Sequence, residues 1–296
     1  MHVAVTGASG LIGSALVPAL RAGGHDVSTL VRREARAPDE IAWNPDAGTI
    51  DTGSLRGVEA VVHLAGENIG QRWTERARLE IMSSRVEGTT LLAEALASLE
   101  PRPRVLVSAS GVGYYGDRGD EELTERSGQG AGFAAEVAAA WERAADPARA
   151  AGIRVVHLRQ GIVLAGGGGA LRRLLTPFRL GLGGRVGSGR QWWSWIALAD
   201  VVRAYEHALA GDLEGPVNAT APAPVTNAEF TRALGRALGR PTPFPLPALA
   251  VRLAFGQMGK ELLLGGQRAL PERLLTSGFA FSTPGIDEAL AAALAG

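Results

Sequence analysis

His2-Val3-Ala4-Val5-Thr6-Gly7-Ala8-Ser9-Gly10-Leu11-Ile12-Gly13 opens the chain with a short apolar run followed by glycines at 7, 10 and 13. Each glycine of this G-x-x-G-x-x-G spacing has a physical reason. The first permits a tight strand-to-helix turn, and the second lets the backbone approach a pyrophosphate with no Cβ in the way. The third lets the next helix lie close to the sheet. A helix beginning near Leu11 then presents unpaired N–H groups and its positive dipole end to phosphate. A strand before the loop and a helix after it distinguish a phosphate-binding loop from a glycine-rich turn kept for packing. The stretch predicts a dinucleotide site made by Gly7, Ser9, Gly10, Leu11, Ile12 and Gly13.

Outward from this loop the first 160 residues alternate strand and helix. Residues 11–22 read as a helix ended by Gly23-Gly24, then Asp26–Val31 as a strand, with a turn at Asp46-Ala47-Gly48 inside 43–51. A buried strand is expected over 59–64. A long helix follows over 74–98, its apolar face drawn through Leu79, Met82, Val86, Ala93 and Leu96. Pro101 and Pro103 separate it from a strand at 104–109; a helix over 133–150 leads to a strand at 153–158. This rhythm implies βαβ units, an α/β fold with a parallel sheet, and ligands at the carboxyl ends of the strands. Beyond residue 165 the rhythm changes. Gly166–169 reads as a flexible turn, 171–182 and 199–209 as helices. Thr226-Asn227-Ala228-Glu229 forms a capping box, and the alternating prolines 241, 243, 245 and 247 make an extended link before further helical pieces. The division expected is 1–165 for the dinucleotide domain and 166–296 for a smaller, mostly helical lobe, with some segments returning to the sheet.

Composition narrows the function. The 296 residues are 46% hydrophobic, as a folded globular chain requires, and Lys+Arg and Asp+Glu both total 30. A balanced charge attracts neither nucleic acid nor an anionic membrane. With no cysteine there is no disulfide, thiolate zinc site or cysteine nucleophile, and five scattered histidines make a metal site unexpected. No apolar run is long enough to span a membrane, and a strand from residue 2 leaves no room for a signal peptide, so a cytoplasmic location is expected.

Three further segments carry chemistry. The second strand ends at Arg32-Arg33, where an enzyme selecting NAD commonly has an acidic residue for the ribose 2′-hydroxyl. Two guanidinium forks suit a 2′-phosphate instead, which points to NADP; the alternative is solvated surface charge. His63-Leu64-Ala65-Gly66 ends its strand in small residues that a cofactor could approach. Ser108-Ala109-Ser110-Gly111-Val112-Gly113-Tyr114-Tyr115-Gly116 brings hydroxyls and phenols to the carboxyl edge. There Ser110 could polarise a carbonyl or cap a turn, and Tyr114 or Tyr115 could move a proton or simply pack.

The loop 7–13, the 63–66 run, Arg85-Val86-Glu87-Gly88-Thr89, the 108–116 run and Leu158-Arg159-Gln160-Gly161 together resemble the extended short-chain dehydrogenase/reductase superfamily. Gly187-Ser188-Gly189-Arg190-Gln191-Trp192-Trp193-Ser194-Trp195-Ile196 and Gly278-Phe279-Ala280-Phe281 resemble its sugar-nucleotide-epimerase-like branch, which carries a C-terminal domain of unassigned function. The resemblance covers nearly the whole chain. It implies a Rossmann-type, doubly wound sheet of order 3-2-1-4-5-6 and a C-terminal substrate lobe. It also implies a cofactor set that includes Leu64, Ala65, Gly66, Ser108, Ala109, Gln160 and Gly161, and a possible homodimer through the helices at 74–98 and 133–150.

Two departures from the superfamily pattern bear on the reaction. Where the superfamily carries Tyr-x-x-x-Lys, the helix reads Phe133-Ala134-Ala135-Glu136-Val137-Ala138-Ala139-Ala140-Trp141-Glu142, which places Ala134 and Ala138 at the pair. Trp193 stands where epimerases place a diphosphate-binding arginine, with Arg190 three residues earlier, and Gly161 replaces a substrate-contacting asparagine. Trp193 is expected to face opposite Trp192 and Trp195, as a wall for a ring-shaped substrate or as core. The expected function is an NADP-dependent oxidoreductase or epimerase-like enzyme on a small sugar-like or other carbonyl or alcohol substrate. The alternative is a catalytically weak NADP-binding sensor.

Overall fold

A computed structural model describes residues 1–295. Its first half lays down β1 (His2–Thr6), α1 (Gly13–Ala22), β2 (Asp26–Val31), β3 (Glu40–Asn44), β4 (Thr49–Ile50), β5 (Ala60–His63), α2 (Glu75–Ala97) and β6 (Val105–Gly111). A 3-10 turn at Val112–Tyr115 leads to β7 (Glu122–Leu123), α3 (Phe133–Arg143), α4 (Asp146–Ala150), β8 (Arg154–Gln160) and β9 (Ile162–Leu164). Next come α5 (Gly169–Arg179), β10 (Trp192–Trp193), β11 (Trp195–Ala197), α6 (Leu198–Ala210), β12 (Gly215–Ala219), β13 (Val225–Thr226) and α7 (Asn227–Leu238). The last stretch holds α8 (Ala248–Met258), a π-helical turn (Gly259–Leu264), β14 (Arg268–Ala269), α9 (Glu272–Thr276) and α10 (Ile286–Ala295).

Eight strands form one sheet in the order β12-β8-β6-β5-β1-β2-β3-β4, parallel throughout except for the β3–β4 ribbon. This is the 3-2-1-4-5-6 order extended by β12 at one edge and β4 at the other. The central strands are apolar on both faces because helices cover both. Val3 and Val5 pack towards Leu16 and Leu20 of α1 and Val201 and Tyr205 of α6. Ala4, Val61 and Leu106 face Leu92 and Leu96 of α2. Each fully buried leucine contributes roughly 1.5–3 kcal/mol.

The structure corrects four expectations. The core stripe of α2 is only partly the predicted one: Ala93 and Leu96 are buried, but Leu79 is 67% exposed and Met82 and Val86 are half-buried, while Ile81, Arg85, Thr89 and Leu92 complete the stripe. Polar Arg85 and Thr89 sit in that stripe because each has a partner beneath it, which disguises the period. The helix expected over 133–150 breaks after Arg143, since Pro147 supplies no N–H to the fourth carbonyl back. The four-glycine run is not a free turn. A Cβ at Gly166 would stand 2.2 Å from the Ala293 carbonyl oxygen, and one at Gly168 would stand 2.6 Å from Leu11 Cδ1. The Trp-rich segment is not one strand, because β10 pairs with β13 and β11 with β9. Ser194 makes the joint: its Oγ donates to the Gln267 carbonyl at 2.8 Å and accepts from Ala269 N–H at 2.9 Å. Trp193 and Trp195 therefore enter the same core, and Trp192 is the one set apart.

Candidate functional site

The loop after β1 has the geometry its glycines call for. Gly7 lies at φ +67°, where a side chain is strained, and a Cβ there would stand 2.8 Å from the Leu64 carbonyl carbon. Gly13 permits a different approach from the one expected: its Cβ would meet the Gly7 carbonyl oxygen at 2.3 Å, so α1 is held against the loop itself. A Cβ on Gly10 would meet only that same oxygen, at 3.2 Å, and the residue is exposed. α1 has no side-chain cap and no acidic residue in its first turn. Among the described residues, Leu11 and Ile12 N–H have no acceptor. An uncapped helix start beside an exposed glycine is a ready anion site.

Thr6 ties this loop to the end of β5. Its Oγ1 accepts from Leu64 N–H at 3.0 Å and Ala65 N–H at 3.2 Å, so its own hydrogen goes to His63 Nδ1 at 2.7 Å. His63 Nε2–H then donates to Thr89 Oγ1 at 2.9 Å. Burial pushes the His63 imidazole down to about 4, with the Arg85 charge adding to the effect. Beyond it, Leu64 and Ala65 are half-buried and Gly66 is exposed. Arg85, itself pushed down to about 10 by burial despite Glu67, donates to the Glu67 carbonyl at 2.9 Å. Arg173 of α5 reaches the Gly70 carbonyl, tying this loop to α5.

At the end of β2 the two arginines differ. Arg33 pairs with both carboxylate oxygens of Glu40 on β3, at 2.5 and 2.8 Å, and this pair holds the Glu40 carboxyl down to about 2. Arg32 is exposed, and among the described residues its guanidinium has no partner.

The hydroxyl cluster after β6 is largely committed elsewhere. Ser110 is 4% exposed and donates to Glu142 Oε1 at 2.8 Å, because β6 and β8 align it beside Arg159, which α3 meets with Glu142. Arg159 grips that carboxylate through Nε and Nη2, both at 2.7 Å. Burial alone would lower the guanidinium, but Glu142 holds it raised. Arg159 Nη1 also donates to the Tyr115 hydroxyl at 3.0 Å, and that hydroxyl donates to Asn218 Oδ1 at 2.7 Å. Tyr115 is wholly buried, and its burial pushes the phenol up to about 12 against the pull of Arg159. Ser110 and Tyr115 thus both have their hydroxyls engaged in a buried network. Tyr114 is half-buried, with its ring 3.4 Å from the Arg159 guanidinium carbon and no partner for its hydroxyl among the described residues. A charged residue inside the apolar run Val155-Val156-His157-Leu158-Arg159 is the signal that such a network exists.

The remaining candidates divide in the same way. Ser108 and Ala109 are buried, and Ser108 Oγ turns back to the Ala109 carbonyl at 3.2 Å. Gln160 donates to the Tyr205 hydroxyl at 2.6 Å. Gly161 is a packing requirement, since a Cβ there would stand 2.6 Å from the Ser194 carbonyl oxygen. Trp193 is 6% exposed and lies edge-on to Phe230 at 5.0 Å, so it cannot wall a ligand cleft. Arg190 is exposed, with no partner for its guanidinium among the described residues.

A buried histidine pair gives a stability test. Burial is the main cause that holds His157, like His63, down to about 4, whereas the unfolded value is near 6.5. Between those values the unfolded chain takes up protons that the folded chain does not. The stability is fully present above pH 6.5 and falls as pH drops towards 4, by up to about 1.4 kcal/mol per pH unit per histidine. Urea midpoints from pH 7 to 4.5 are expected to decline, with a shallower slope in His157→Gln. An unchanged slope would show that His157 is charged in the fold.

A doubly wound sheet with a glycine loop and an uncapped helix start defines a dinucleotide-binding fold. Residues 3–219 match the NAD dependent epimerase/dehydratase family, and residues 246–293 match a domain of unknown function. The chain belongs to that epimerase/dehydratase family. It is 50% identical over 290 residues to the epimerase family protein Mb2239 of Mycobacterium bovis, covering 97% of this chain and 96% of that one. The crystal structure of human epimerase family protein SDR39U1 (isoform 2) with NADPH superposes with TM-score 0.90 at 38% identity, over 100% and 99% of the two chains. A nucleoside-diphosphate sugar epimerase from Corynebacterium glutamicum superposes at 0.83 and 39% identity, over 99% of this chain and 58% of that one.

Proposed function

We propose that this protein binds NADP(H) across the carboxyl edge of its sheet and works as an oxidoreductase or epimerase-like enzyme on a small carbonyl or alcohol substrate. The observation that carries the cofactor choice is the division of labour after β2. Glu40 is already held by Arg33, leaving Arg32 as a free guanidinium at the place where a ribose 2′-phosphate ends up. The human relative crystallised with NADPH supports the same choice.

The residues fit such a group. Gly10 and the N–H groups of Leu11 and Ile12 would receive the pyrophosphate, Leu64–Gly66 would flank the adenosine side, and Arg32 would pair with the 2′-phosphate. When bound, the nicotinamide supplies or accepts a hydride at C4. The protein's part is to orient that ring, exclude water with the C-terminal lobe, and move a proton at the substrate oxygen. Ser110 and Tyr115 are engaged elsewhere, so of the three groups expected at the reaction centre only Tyr114 has a hydroxyl with no partner among the described residues. A second reading, an occupancy sensor, draws support from Ala134 and Ala138 standing where the superfamily keeps its Tyr and Lys.

Common nucleotide sugars are expected to be poor ligands. Trp193 is packed in the core, and an indole N–H cannot replace a bidentate guanidinium on a diphosphate. The test is a thermal-shift and NADPH-consumption screen at saturating NADPH, comparing small carbonyls with UDP- and dTDP-sugars. Turnover of a carbonyl near roughly 1 per second or faster supports an oxidoreductase; neither turnover nor a thermal shift with any compound of the panel favours the sensor. Stabilisation by a nucleotide sugar that is lost in Arg190→Ala would show that Arg190 binds the diphosphate.

A further inference from the structure

The place left by the missing tyrosine is filled by the C-terminal segment. Met258 and Leu262 pack with Trp73, Ile81, Phe133, Ala134 and Val137, so the segment lies directly on the first turns of α3. It arrives there through two backbone irregularities, a break at Gly256 (φ 59°, ψ −134°) and the π-helical turn Gly259–Leu264. π-turns recur at functional sites because they re-aim side chains without ending the helix.

The side chain aimed here is Glu261. Its Oε2 accepts from Ala134 N–H at 3.0 Å, its Oε1 from Phe133 N–H at 3.2 Å and from Gln257 Nε2 at 2.7 Å. Gln257 is in turn held by Arg78 of α2 at 2.8 Å. Gly132 makes room: it has φ +108°, and a Cβ there would stand 2.8 Å from Glu261 Oε2. Ala134 abuts the turn after β6, since a Cβ on Gly113 would stand 3.2 Å from Ala134 Cβ. The carboxylate is therefore at the carboxyl edge, beside the residue that stands in the tyrosine's place, and it is only half-buried.

We infer that Glu261 takes over from the absent tyrosine, placing a carboxylate of the C-terminal segment at the nicotinamide end of the cofactor site. This rests on the NADP(H) reading above. Facing an alcohol, the carboxylate takes the hydroxyl proton as the C–H hydride passes to NADP⁺, leaving a carbonyl; the reverse step returns both.

The test uses charge rather than turnover. The oxidised nicotinamide ring is cationic and the reduced ring is neutral, so a nearby carboxylate favours NADP⁺ selectively. Calorimetry of the full-length Glu261→Gln variant is expected to show NADP⁺ binding about tenfold weaker, with NADPH binding changed less than about twofold. Equal weakening of both forms would mean a docking cap only, and no change in either would place the carboxylate away from the ring; each overturns the inference while leaving the cofactor reading intact. Absence of binding by the unmutated protein overturns both. Should Glu261→Gln lose its cooperative melt, Glu261→Asp draws the charge back by one methylene. It is expected to weaken NADP⁺ about threefold, again selectively, and an unselective change overturns the inference.

Discussion

Arg32→Ala weakens NADPH binding about tenfold or more and leaves NADH binding unchanged. The expectation follows from the Arg32 guanidinium after β2, which has no partner among the described residues: a hydrogen bond to a charged group is worth roughly 1.5–3 kcal/mol, and only NADPH carries the 2′-phosphate that would accept it. Arg33→Ala acts by another route. Removing Arg33 frees Glu40, whose carboxylate Arg33 otherwise holds by two hydrogen bonds. An unpaired carboxylate on the neighbouring strand repels a 2′-phosphate and can serve a 2′-hydroxyl, so this variant narrows the preference between the cofactors from both sides. Calorimetry on the two single variants separates the roles. Equal losses of NADPH affinity in both would mean that the arginines share the phosphate and that the Arg33–Glu40 pair opens on binding.

Arg159→Ala is expected to destabilise the fold by about 3–5 kcal/mol, because it strands the largely buried Glu142 carboxylate without its bidentate partner. The loss spreads further: Tyr115 gives up one of its two hydroxyl partners, and the ring of Tyr114 loses the cation beneath it. Urea unfolding measures the effect. Arg76→Ala, which breaks the solvent-exposed pair with Glu80, serves as the comparison and is expected to leave the midpoint where it was. A similar small change in Arg159→Ala would show that Glu142 is hydrated or protonated in the folded protein. In that event Ser110 would be free to turn towards a ligand.

These two arginines also mark how far the sequence could be read. The glycine loop and the parallel sheet are legible because short-range rules set them: apolar runs of strand length, helices between them, and glycines where the backbone closes up; the order of the strands comes only from the resemblance to the superfamily. The position of Arg33 beside Glu40 depends on the register of β2 with β3, which pairs Thr29 with Glu40, and no local pattern reveals that register. The partner of Ser110 is hidden for a related reason. A hydroxyl at a strand end suggests catalysis, but Glu142 and Arg159, 32 and 49 residues later in the chain, claim it. The Trp-rich run misled because Ser194 moves the chain from one small sheet to another, which cancels the alternation between Trp193 and Trp195. Glu261 carried no signal at all, since only the packed C-terminal segment brings it to α3.

Cofactor choice is the property on which the proposed function rests. Isothermal calorimetry of the unmutated protein with NADPH and with NADH, in matched buffers at one ionic strength, measures it directly. The expected result is single-site binding of NADPH at least about tenfold tighter than NADH, the equivalent of roughly 1.4 kcal/mol. Equal affinities, or tighter binding of NADH, would contradict the role given to Arg32 and with it the reading of this chain as an NADP-dependent protein.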